Sequence, residues 1–203
     1  ARQWSWEYEY KNGKIEAELT VPAGMPIKLL MTSMDVIHSF YVPSFRMKQD
    51  VVPGMYPAVW FQANEPGDYQ VFCAEFCGTS HSAMLSKIHV VPPDQFESWL
   101  HGGAGEQTLA EKGQNLYRVK GCAACHTVDG SKSIGPSFMN IFGRKEILAD
   151  GSSITVDENY LRESILQPQA KLVAGYPPTM PPFQGALSED DLLALIEFLK
   201  EQK

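Results

Sequence analysis

The sequence predicts two domains: an all-β sandwich or Greek-key barrel over residues 1–100, then an all-α domain over residues 108–203. Three observations carry this division. Short strand-like runs broken by Pro and Gly turns fill the first half. Helical spacing takes over in the second. Between them, residues 101–107 include His101-Gly102-Gly103-Ala104-Gly105-Glu106, a glycine-rich run suited to a flexible linker. The formal charge splits as −4 over residues 1–100 and −3 over the remainder, so the halves do not attract. A weak or mobile interface is expected.

Trp4-Ser5-Trp6-Glu7-Tyr8-Glu9-Tyr10 alternates from the outset and reads as a strand already under way. Ile15, Ala17 and Leu19 alternate with polar neighbours, residues 26–31 form a short apolar run, and 58–62 is strand-like with Trp60 as core. The turn Glu65-Pro66-Gly67-Asp68 precedes a strand over 69–76. Residues 93–101 predict a short helix with Phe96, Trp99 and Leu100 on one face. In the second domain Leu109, Gly113, Leu116 and Tyr117 share a helical face, 157–167 is a second helix and 189–200 a third. Ser188 is placed as the N-cap of that last helix, with Asp190 and Asp191 at the positive end of its dipole. There is no internal repeat.

With 44% hydrophobic and 20% charged residues in 203, the chain has material for a folded core. A disordered tail, a collagen-like fibre and a disulfide-stapled miniprotein are excluded. The net charge of −7, without a basic stripe, argues against nucleic acid as a partner. No apolar run approaches the roughly 18–20 residues a membrane helix needs. The sequence begins at Ala1 with no charged and apolar leader, and reads as a soluble piece of a longer protein.

Gly121-Cys122-Ala123-Ala124-Cys125-His126 contains C-x-x-C-H. Two thiols at that spacing can form thioethers to both haem vinyl groups, placing His126 as an axial iron ligand. The domain has no second Cys pair for a zinc site and no βαβ context for a thioredoxin-like pair. Met180, in Tyr176-Pro177-Pro178-Thr179-Met180-Pro181-Pro182, is the candidate sixth ligand; Met139 is its only competitor in the domain. A thioether there raises the iron potential and favours electron transfer over oxygen binding.

The other two cysteines lie in Cys73-Ala74-Glu75-Phe76-Cys77-Gly78-Thr79-Ser80-His81, with Met84 just beyond. Thiolate and thioether together select a soft metal, and Met84 favours copper over zinc. A single-copper site needs one Cys, whereas two thiolates can bridge two coppers. A second imidazole would then come from His38, in Asp35-Val36-Ile37-His38-Ser39-Phe40. A plain disulfide between Cys73 and Cys77 is the alternative. His89 and His101 have no partners evident in the sequence and read as ordinary surface or packing residues.

The copper motif, with Val42-Pro43, Pro53-Gly54 and Pro66-Gly67-Asp68-Tyr69, resembles the cupredoxin-like CuA domain of cytochrome c oxidase subunit II. That resemblance implies a dinuclear centre bridged by Cys73 and Cys77. His38 and Met84 would complete one copper, and His81 and the Glu75 carbonyl the other. It further implies that the Glu75 side chain faces the catalytic subunit, at a magnesium site. Trp4 takes the position where the family accepts electrons from an external cytochrome c. The second domain resembles a class I cytochrome c, with Gly113 and Tyr117 against Leu195 and Phe198 as its crossed terminal helices. In that family a proline carbonyl, here Pro136, accepts the axial histidine's other N–H, and Arg144 would pair with a haem propionate.

Together the resemblances imply a caa-type oxidase subunit II without its membrane helices, on the outer face of a prokaryotic cytoplasmic membrane. Its partners would be an external donor and subunit I, which holds haem a and reduces oxygen while pumping protons. Both centres are filled by protein ligands, so the chain itself is expected to transfer electrons and not to process a substrate. The alternatives are a CuA-containing nitric oxide reductase subunit, or a copper-delivery protein fused to a cytochrome c.

Overall fold

Alternation that survives into structure is clearest in the first half, where all the strand-like runs except the opening aromatic one become strands. The computed structural model describes residues 1–102 and 108–203. The strands are β1 (Tyr8–Glu9), β2 (Ile15–Glu16), β3 (Leu19–Pro22), β4 (Pro26–Leu30), β5 (His38–Val42), β6 (Met47–Val51), β7 (Ala58–Gln62), β8 (Gly67–Cys73) and β9 (Leu85–Val91). A helix, α1 (Pro93–His101), follows them.

Five strands form one sheet in the order β3-β9-β8-β5-β6. Only β3 and β9 run parallel, pairing Leu19 with Ile88. β4 and β7 pair separately, with Ile27 opposite Phe61. β5 lies inside the larger sheet, which explains why His38, Ser39, Phe40 and Val42 are all buried instead of alternating. Val51, Val71, Ile88 and Val90 complete that core. Phe45 joins the two sheets, 5.2 Å from the Phe61 ring and 4.8 Å from the Tyr69 ring. α1 is fixed by Trp99, whose ring meets Tyr10 at 5.0 Å and lies under the Lys14 ammonium at 3.6 Å.

Residues 4–10 are not a continuous strand; pairing there is limited to β1 and an Arg2–Ser5 bridge. Trp60 is not core either. It faces outward from β7, 66% exposed, with the Lys28 ammonium 5.3 Å from its ring. The alternation was read correctly and the face wrongly, because Val59 and not Trp60 turns inward.

The second half contains α2 (Leu109–Val119), β10 (Lys145–Ile147), β11 (Ser153–Thr155), α3 (Glu158–Leu166) and α4 (Glu189–Lys200). The antiparallel β10–β11 hairpin corrects the all-α expectation. Gly113 allows α2 and α4 to approach: a Cβ there would meet the Ala194 carbonyl oxygen at 2.0 Å and Phe198 Cβ at 2.6 Å. The Tyr117 and Phe198 rings lie 5.3 Å apart at the same crossing. Leu109 is exposed and leaves the predicted face. Asp157 caps α3 by accepting from the Tyr160 N–H, and Ser188 with Asp191 forms a capping box on α4.

By contacts the chain divides into Ala1–Glu106 with Val119–Ala124, and Gln107–Arg118 with Cys125–Lys203. The sequence-based boundaries differ from this by the segment 119–124. Residues 103–107 of the anticipated linker lie outside the described residues. Among the described residues no helix is long and apolar enough to cross a membrane.

Candidate metal centres

β5 begins at His38 and β8 ends at Cys73, so two neighbouring strands of one sheet deliver an imidazole and a thiol to the same end. The loop after β8 then returns Cys77, His81 and Met84 to that point before β9 starts. The resulting distances are short. Cys73 Sγ is 3.8 Å from Cys77 Sγ, 3.9 Å from His38 Nδ1 and 3.2 Å from the Glu75 carbonyl oxygen. Cys77 Sγ is 3.5 Å from His81 Nδ1 and 3.8 Å from Met84 Sδ. Six candidate donors from the sequence thus converge, and the Cys73–Cys77 pair is not a disulfide. His38 and Met84 are fully buried, while the Glu75 side chain points to solvent.

The electrostatics fit a cation. Burial opposes ionisation of Cys73, but hydrogen bonding to His38 and to the Ser39 backbone outweighs it and lowers the thiol to about 6. Burial, and then the charge of Cys73, push Cys77 up to about 12. Two thiolates 3.8 Å apart cannot both ionise without a compensating positive charge, and a soft metal supplies one. His38 presents Nδ1 to the sulfurs because Nε2 bonds Asp35 Oδ1 at 2.9 Å. A carboxylate behind a liganding imidazole fixes its orientation and raises its basicity. Asp35 stood in the recognised motif three residues before His38, but its role was not legible there.

His126 follows the 3₁₀ turn Cys122–Ala124 and is buried. Its Nδ1 bonds the Pro136 carbonyl oxygen at 2.8 Å, leaving Nε2 for a metal. Burial lowers its pKa, which favours the neutral imidazole a ligand must be. Gly135 packs flat against the ring: an added Cβ would lie 2.5 Å from Cε1 and 2.8 Å from Nδ1. Phe138 stacks on the His126 ring at 4.4 Å between centroids, and the Tyr117 hydroxyl donates to the His126 carbonyl. These three contacts went unpredicted, although Gly135 adjoined the recognised proline. Met180 is half-buried in the segment between α3 and α4.

Arg144, expected beside a haem propionate, pairs with Glu146 and donates to the carbonyls of Met139 and Ser137. Trp4 is buried, and its indole N–H donates to the Cys77 carbonyl at 3.1 Å. His89 is not unpartnered: Asp68 holds Nδ1 at 2.7 Å and Glu18 holds Nε2 at 2.9 Å. His101 lies 3.4 Å from Glu97.

A sheet-rich domain with this donor set, followed by a helical domain with a C-x-x-C-H segment, defines a redox metalloprotein of the copper and haem type. Residues 11–91 match the family described as cytochrome c oxidase subunit II, periplasmic domain, and residues 110–203 match cytochrome c. The chain is thus similar to cytochrome c oxidase subunit II over its first half and to cytochrome c over its second. It is 34% identical to cytochrome c oxidase subunit 2 of Alkalihalophilus pseudofirmus over 209 residues, covering 99% of this chain and 59% of that protein. It is 44% identical over 98 residues to cytochrome c oxidase subunit 2 of Thermostichus vulcanus, covering 48% of this chain and 30% of that one. The periplasmic domain of subunit II of cytochrome oxidase of Bradyrhizobium japonicum aligns at 34% identity and a TM-score of 0.47, over 50% of this chain and 86% of that chain. The chain therefore spans less than two thirds of the length of the curated relatives it matches.

Proposed function

We propose that this chain is the electron-transfer part of a terminal oxidase subunit II, carrying a dinuclear copper centre and one covalently attached haem c. The observation behind this reading is the convergence of two thiols, two imidazole Nδ1 atoms and a thioether around one buried point. In this reading Cys73 and Cys77 would bridge the coppers, with His38, Met84, His81 and the Glu75 carbonyl as the other ligands. Cys122 and Cys125 would hold the haem, with His126 and Met180 as the residues offered to its iron. When bound, these groups supply one-electron carriers between an external donor and haem a of subunit I, where oxygen is reduced and protons are pumped.

The residues around them limit rearrangement. His38 and Cys73 are held on paired strands, and the Asp35 and Pro136 oxygens fix the two imidazoles. Burial of Met84 keeps water from the copper side. The exposed carboxylate of Glu75 is available to a magnesium ion shared with subunit I, and Trp4, bonded to the Cys77 carbonyl, to electrons from the donor. A copper-delivery role fits less well, because a thioredoxin-like carrier needs a βαβ frame and no Met84. The curated relatives named above are cytochrome c oxidase subunits, which favours oxygen over nitric oxide as the terminal acceptor. The match of residues 11–91 to a periplasmic-domain family supports a position on the outer face of the cytoplasmic membrane.

Flash photoreduction of the haem in the copper-loaded protein tests the reading. The haem is expected to reoxidise as the copper absorption bleaches, at a rate independent of protein concentration. Haem that stays reduced beside oxidised copper contradicts it.

A further inference from the structure

Residues 1–4 do more than carry Trp4. The Met34 N–H donates to the Ala1 carbonyl at 2.9 Å. This anchors the segment beside the loop leading into His38. Gln3 then makes two bonds to different ligand loops. Its backbone N–H donates to Asp35 Oδ2 at 2.6 Å, while the other oxygen of that carboxylate holds His38 Nε2. Its side-chain amide donates to the Cys77 carbonyl at 2.7 Å, beside the Trp4 indole N–H. Gly78 leaves room for this pair: a Cβ there would lie 3.0 Å from Gln3 Nε2 and 3.1 Å from the Trp4 ring.

We infer that Gln3 is a positioning residue of the copper centre, tying the loop of His38 to the loop of Cys77 from outside the ligand set. The inference rests on the copper reading above. The physical case is the load on one carbonyl. Two N–H donors on the Cys77 peptide oxygen hold that peptide plane, and with it the direction of the Cβ–Sγ bond. They also draw electron density away from a bridging thiolate, which stabilises the reduced centre and raises its potential. The Asp35 bond acts on the other side, keeping the carboxylate aimed at His38 and the imidazole Nδ1 aimed at the sulfurs. Outer ligand partners of this kind change metal affinity by about 10-fold or more.

Gln3→Met keeps the length of the side chain and removes its N–H donors; Gln3→Glu removes them and adds an acceptor. Unmodified protein and both variants are loaded with copper, and three quantities are read: copper retained against a chelator, the potential of the centre, and thermal unfolding without copper. The expected result is copper held about 10-fold less tightly in both variants, with a lower potential and nearly unchanged unfolding of the copper-free protein. Unchanged retention and potential overturn the inference, as does a retention loss matched by equal destabilisation without copper. If a variant does not fold, the unmodified copper-loaded protein decides: its Gln3 side-chain amide signal is expected to shift on copper reduction, and a fixed signal counts against the role. Absence of any two-copper centre in the unmodified protein defeats the copper reading itself, a separate outcome.

Discussion

Gly135→Ala isolates how closely the axial imidazole is held. The added Cβ would lie 2.5 Å from His126 Cε1, 2.8 Å from Nδ1 and 2.9 Å from Nε2. Carbon atoms rest at about 3.5–4.0 Å, so the ring must move by roughly 1 Å. A shift of that size carries Nδ1 out of reach of the Pro136 oxygen, now 2.8 Å away. Overpacking costs about 1–3 kcal/mol, and the lost hydrogen bond about 0.5–1.5. Gly135 has no positive φ, so alanine adds no backbone strain there and recovers about 0.4–1 kcal/mol through the unfolded chain. The net loss is about 0.5–4 kcal/mol, centred near 2. Denaturant titration of the haem-loaded protein reads it, together with the haem absorption spectrum as a report on axial ligation. An unchanged midpoint and spectrum would refute the packing argument for His126.

Gly113→Ala is expected to separate α2 from α4 and cost more than the about 1 kcal/mol of helix propensity that alanine gains, read as a lower Tm. Ser188→Ala removes the α4 capping box and should lower stability by about 1 kcal/mol in a denaturant titration. Burial opposes protonation of His89, but Glu18 and Asp68 together raise its pKa, with Lys87 nearby acting on Asp68. A raised folded pKa means a contribution fully present below the unfolded value near 6.5 and lost as pH rises through the folded one. The lowered Asp68 pKa gives the opposite edge, lost as pH falls below the ordinary carboxylate range. His89→Gln should therefore remove a little stability between those edges, solvent screening the exposed partners, and leave alkaline stability unchanged in pH-dependent melting. Copper should raise the Tm of the unmodified protein, and Cys77→Ser should abolish that rise, measured by calorimetry with and without chelator.

The donor types and their spacing were readable because C-x-x-C-H and the Cys73–Met84 cluster each lie within a short stretch, and local sequence records local chemistry. The start of α4 was readable for the same reason: Ser188 caps it through a bond only three residues long. What escaped depended on contacts between distant segments. Trp60 alternates like a core residue, and only the pairing of β4 with β7 decides which face meets the larger sheet. Asp68 and Glu18 reach His89 across neighbouring strands, 21 and 71 residues away in sequence. Gln3 meets Cys77 across 74 residues. Arg144 also donates to the Ser137 and Met139 carbonyls, contacts no spacing rule foretells. The β10–β11 hairpin is three residues per strand, too short for alternation to register against helical neighbours.

The central claim is that Cys73 and Cys77 bridge two coppers, and the electron paramagnetic resonance spectrum of the oxidised, copper-loaded protein tests it most directly. Hyperfine structure from two equivalent copper nuclei sharing one unpaired electron is the result this account predicts. A spectrum from a single copper nucleus, or no copper signal, would contradict it.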